Sequence, residues 1–74
     1  MTGPRFLSYF FTDGHRFKVA EFLTRFGTIE WIVTDAENLD PRFGCPGLPE
    51  VIAMKNTRAD ALAYIGNFLA AEAA

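Results

Sequence analysis

The sequence predicts a small α+β domain of element order β-α-β-β-α, a three-stranded, mostly antiparallel sheet with two helices packed on one face. Three observations predict it. Apolar residues recur at spacings of three and four in residues 15–26, and again along a segment that follows residues 56–57. Residues 28–35 alternate apolar and polar instead, while residues 5–12 and 50–55 are short β-rich runs bounded by turn residues.

Residues 5–12 (RFLSYFFT) lie between Pro4 and Asp13-Gly14 and read as a strand. A simple alternation gives it two faces, Phe6/Ser8/Phe10 and Leu7/Tyr9/Phe11. Both are largely apolar, so cover is expected on both sides. In residues 15–26 (HRFKVAEFLTRF) a helical stripe of Val19, Phe22, Leu23 and Phe26 opposes Lys18, Glu21 and Arg25. Asp13 suits an N-cap and Gly27 the residue just past a helix end. Asp13-Gly14 is also a hairpin signal, which would make 15–22 a second strand. The stripe together with its terminator favours the helix.

Residues 28–35 (TIEWIVTD) place Ile29, Trp31 and Val33 against Glu30, Ile32 and Thr34, a half-buried strand. Residues 36–49 hold three prolines and two glycines and read as a loop. Residues 50–55 form the third strand. Asn56 or Thr57 then caps a helix to about Ala71, with Thr57 and Asp60 spaced as in a capping box and Leu62, Ile65, Phe68 and Leu69 as its stripe.

The 74 residues make a single domain, 1–74, and so short a chain buries a small core. Eight Phe, two Tyr and one Trp exceed what such a core needs, so part of this aromatic surface is expected outside it. Cys45 is the only cysteine, which excludes an internal disulfide, and with no leader-like segment it suggests a reducing, cytoplasmic setting. No apolar run approaches the roughly 20 residues of a membrane span. The net charge of −2 is uneven: residues 30–50 carry Glu30, Asp35, Glu37, Asp40 and Glu50 against Arg42 alone. A low isoelectric point without a basic cluster argues against nucleic acid as partner.

The order β-α-β-β-α resembles the ferredoxin-like plan lacking its last strand. It resembles more loosely the small-molecule-sensing ACT domains, with Thr12-Asp13-Gly14-His15 at the ligand-facing start of the first helix. The first likeness implies that residues 6–11 form an open hydrophobic edge. The second implies a metabolite held at a homodimer interface.

Chemistry-bearing motifs are missing. His15 and Cys45 are the only soft ligands, in no metal-binding spacing, and Asp35, Glu37 and Asp40 match no calcium loop, so neither metal nor cofactor is expected. No base is placed beside Cys45, and no catalytic residue is assigned. The leading expectation is therefore a non-enzymatic protein-binding module, a small regulator or inhibitor whose general profile is similar to phage or mobile-element proteins such as anti-CRISPRs. Candidate partner-binding residues are Tyr9, Phe11, Glu37, Asp40, Phe43 and Leu48, the acids suiting a basic protein surface. Candidate self-association residues, for a homodimer, are Leu7 on the apolar strand and the small-residue face Ala59, Ala63, Gly66 and Ala70. Alanine is also simply the best helix former, and a solvated alanine face needs no partner.

Overall fold

The computed structural model describes residues 3–38 and 50–73. Its elements are β1 (Arg5–Thr12), β2 (Phe17–Leu23), β3 (Ile29–Asp35), β4 (Val51–Lys55) and α1 (Arg58–Ala73). The four strands form one antiparallel sheet in chain order, β1-β2-β3-β4, and α1 packs across β3 and β4 on one face. This corrects the expected architecture. Residues 15–26 are not a helix, and among the described residues the sheet has four strands and not three, with one helix packed on it. The β-α-β-β-α order on which the ferredoxin-like and ACT-like resemblances rested is not the order of this chain.

The correction has a local cause at each end of β2. At its start, Gly14 and His15 adopt φ of 68° and 73°, and the Asp13 carbonyl accepts a hydrogen bond from the Arg16 amide at 3.3 Å. Gly14 and His15 are the central positive-φ residues of the Asp13–Arg16 turn, Asp13 itself has φ 54°, and Thr12 pairs with Phe17 across the loop. Asp13 therefore closes a turn and does not cap a helix. At its end, Gly27 has φ 83° and lies in a short loop closed by the Thr24 amide on the Thr28 carbonyl at 2.9 Å. A left-handed glycine ends a helix and completes a three-residue hairpin loop equally well. The same residue thus fits both readings, and long-range pairing with β1 and β3 decides between them.

His15 bears a side chain where only glycine is unstrained, and its ring meets that of Phe11 at 5.0 Å. His15→Gly is expected to stabilise the domain by roughly 0.5–1 kcal/mol, because relief of the left-handed backbone exceeds glycine's added chain entropy. A raised urea midpoint checks this. An unchanged or lowered midpoint would mean that the ring contact outweighs the strain.

The core lies between the sheet and α1: Phe17 and Val19 of β2, Val33 of β3, Ile52 of β4, and Ala61 and Ile65 of the helix. Two bulges shape the edge strands. Register shifts at Val33/Thr34 against β4, where Ile52 is the extra residue, and at Phe6/Ser8 against β2, where Leu7 is. The helix begins as expected, with Thr57 Oγ1 accepting the Asp60 amide at 3.1 Å. Its buried stripe runs through Ala61 and Ile65, with Tyr64, Phe68 and Leu69 beside them, while Leu62 is exposed. The expected stripe is wrong at that one position.

Candidate functional site

The face of the sheet opposite α1 is uncovered by any described residue. Lys18, Ala20 and Phe22 of β2 point to it, and the ladder places Phe11, Tyr9 and Phe6 of β1 against them in that order. Ile32 of β3 and Met54 of β4 are paired on the same face. Its outer residues are large and open: Tyr9 is 63% exposed, Phe6 61%, Met54 52% and Phe11 46%. Large exposed apolar side chains scattered singly are ordinary, whereas a contiguous group on one face is not, and this makes the face the candidate site.

The group is organised. Phe6 packs edge-on against Phe22 with ring centres 4.9 Å apart, and Tyr9 packs edge-on against Phe11 at 5.7 Å. The Lys18 ammonium stands 5.8 Å from the Tyr9 ring. Between the strands the face dips into an open concavity of about 360 Å³, with Phe6, Ala20, Ile32 and Met54 as apolar lining and Lys18 and Glu50 at its polar side. The Leu7 bulge creates this grouping. A strict alternation along β1 puts Phe6 with Ser8 and Phe10, but the extra residue turns Phe6 onto the face of Tyr9 and Phe11.

The other ordered cluster is polar and lies at the opposite end of the fold's logic. Arg16, between β1 and β2, grips Asp35 at the end of β3 with Nε on Oδ1 and Nη2 on Oδ2, both at 3.0 Å. It also grips Glu72 in the last turn of α1, with Nη1 on Oε1 at 2.9 Å and Nη2 on Oε2 at 2.8 Å. Asp35 is fully buried and also accepts the Glu37 amide at 2.9 Å. The guanidinium stands 4.8 Å from the Phe17 ring centre. Four charge-assisted bonds engage four of the five guanidinium N–H groups, so the cluster is a clasp that ties hairpin, sheet and helix end together. Hydrogen bonding to Arg16 holds the Glu72 carboxyl below its ordinary value, and the same bonds raise Arg16 further above its own. Because the Glu72 value is lowered, its contribution is present above the ordinary carboxylate range and fades only as pH falls through the lowered value.

The sequence-derived candidates therefore divide. Tyr9 and Phe11 come together on the uncovered face, and Leu7 is exposed on the same strand. Glu37 is exposed beside the clasp, 3.7 Å from Arg16 Nε, away from that face. Asp40, Phe43, Leu48 and Cys45 lie outside the described residues. Ala59, Ala63, Gly66 and Ala70 are all exposed, on the side of α1 turned from the sheet. The strand and helix candidates thus lie on opposite sides of the molecule. On β1 Phe10 packs against the core while Phe6, Leu7, Tyr9 and Phe11 are exposed, so the strand is covered on one side among the described residues and not on both as expected. His15 lies in a hairpin turn and not a helix, and Asp35 belongs to the interior and not to an acidic surface. Sequence reasoning did not single out Phe6, Met54, Lys18 or the Arg16 clasp. Among the described residues no group of three or more His, Cys, Asp or Glu is placed to hold a metal, and no helix is long and apolar enough to cross a membrane.

Comparison with protein-family models, with curated proteins and with solved structures gives no match.

Proposed function

We propose that this chain is a non-enzymatic protein-binding module, a small regulator or inhibitor, and that its working surface is the uncovered face of the sheet. The observation that carries the reading is the contiguous set of exposed Phe6, Tyr9, Phe11 and Met54 opposite the helix. Aromatic and methionine side chains are the residue types enriched at the centres of protein interfaces. Lys18, Glu30 and Glu50 lie around or within the face and supply a polar rim of both signs. Of the acidic stretch expected to meet a basic partner, Asp35 is neutralised internally by Arg16, Glu37 lies beside the clasp away from this face, Asp40 lies outside the described residues, and Glu30 and Glu50 border the face.

Affinity capture with two matched variants tests the reading. Met54→Lys puts a charge in the face, and Ala63→Lys puts one on the outer side of α1. Both positions are exposed, so both variants should fold. The expected result is a partner retained by wild type and by Ala63→Lys and lost with Met54→Lys. Capture that ignores Met54→Lys, or no specific capture at all, would contradict it.

A further inference from the structure

We propose that two copies of this chain join through their β1 strands, antiparallel about a two-fold axis at Tyr9, into one continuous sheet. The inference deepens the reading above and rests on it in that both use β1. It makes a second copy the partner at the edge, and it leaves the doubled aromatic face open to another protein.

Among the described residues β1 is an edge, paired with β2 alone, and its outward backbone groups have no ladder partner there and can continue the sheet. Edges are normally blunted by lysine or proline, and residues 6–12 contain no charge and no proline. The other edge, β4, is five residues long against eight for β1 and ends in Lys55, while both edges carry one bulge. Of the two edges, β1 is the one built to pair.

The ladder makes β1 self-complementary. Against β2, Tyr9 sits opposite Ala20, Phe6 opposite Phe22 and Phe11 opposite Lys18. Because Leu7 is the extra residue, Phe6 and Phe11 lie two ladder steps on either side of Tyr9 and on its face. An axis at Tyr9 therefore sets Tyr9 against Tyr9 and Phe6 against Phe11 twice, all on the open face, with Ser8 against Phe10 on the other. Aromatic cross-strand pairs of this kind stabilise a sheet. Without the bulge, Phe6 would fall on the other face and Phe11 would meet Leu7 in its place.

Charge complementarity selects the antiparallel arrangement. The same axis brings Arg5 of each copy to Thr12 of the other, beside Asp13, and neither Arg5 nor Asp13 has an ion-pair partner among the described residues. Parallel pairing would set Arg5 against Arg5. The interface is isologous, as a two-fold dimer requires.

Light scattering coupled to size-exclusion chromatography, from micromolar to millimolar chain, tests this. Wild type is expected to show the dimer mass, falling to monomer on dilution. Tyr9→Lys and Tyr9→Glu each oppose like charges at the axis and are expected to be monomeric, with circular dichroism confirming that each is folded. Mixed in equal amounts they are expected to recover the dimer mass, since Lys then faces Glu. Wild type that stays monomeric at millimolar concentration overturns the proposal. So does a dimer that persists in Tyr9→Lys, which places the contact elsewhere, or a mixture that remains monomeric. Met54 lies on β4, at the far side of the sheet, so the two readings fail separately. A monomeric wild type with Met54-dependent capture removes only the dimer, and Met54-independent capture with a Tyr9-dependent dimer removes only the outward-facing reading.

Discussion

Arg16→Ala is expected to destabilise the domain by about 3–5 kcal/mol, because it leaves the Asp35 carboxylate buried without its counter-charge. Asp35 has essentially no solvent contact, and Arg16 supplies two of its hydrogen bonds. A domain of this length holds in all roughly 4–11 kcal/mol, so the variant is expected to be largely or wholly unfolded at moderate temperature. Arg16→Lys is expected to recover only part of the loss, since a single ammonium cannot present a fork to two carboxylates at once. Glu72→Gln is the contrasting variant: its side chain is 45% exposed, water replaces the missing partner, and the loss should be much smaller. Urea unfolding of the three variants checks the order. Equal losses for Arg16→Ala and Glu72→Gln would show that the buried half of the clasp does not dominate.

Phe17→Ala is expected to cost a similar amount, about 3–5 kcal/mol, through lost burial and the cavity it leaves. Phe17 is fully buried, packs edge-on against Phe68 with ring centres 6.0 Å apart, and lies under the Arg16 guanidinium. It is therefore shared by the apolar core and the clasp, and its effect should not add simply to that of Arg16→Ala. Tyr9→Ala, on the other face of the same hairpin, should change monomer stability by only about 0.5 kcal/mol, as exposed positions do. The difference between these two aromatics measures which face of the sheet is the core. Comparable losses would mean that the face assigned as open is covered.

Local signals made some of the fold legible and misdirected the rest. The alternation of Ile29, Trp31 and Val33 gave β3 and its faces correctly, and Thr57 with Asp60 marked the start of α1, because both signals are local and unambiguous. β2 was hidden by coincidence. Val19, Phe22, Leu23 and Phe26 are spaced for a helix, yet in the sheet Val19 joins the core, Phe22 meets Phe6 on the open face, and Phe26 stands exposed at a loop tip. Gly27 could not discriminate, since helix ends and hairpin loops ask the same backbone of it. What decided was pairing with β1 and β3 across the chain, which no window of a dozen residues contains.

The uncovered aromatic face was legible only in part. An excess of aromatics over a small core pointed to surface exposure, and Tyr9 and Phe11 lie on the uncovered face. Phe6 was assigned to the wrong side of its strand, because a one-residue bulge reverses the alternation on which the assignment relied. Met54 comes from β4, and its place opposite Ile32 depends on the register of the whole sheet. Asp35 looked like part of a solvated acidic run, and only the fold brings Arg16 to it from 19 residues away.

The most direct test of the sheet face as the contact surface is site-specific photo-cross-linking with a benzophenone side chain at Met54 or, in a matched protein, at Ala63. Cross-linked protein formed from Met54 and not from Ala63 is the predicted result. Products from Ala63, with none from Met54, would place the working surface on the helix and contradict it.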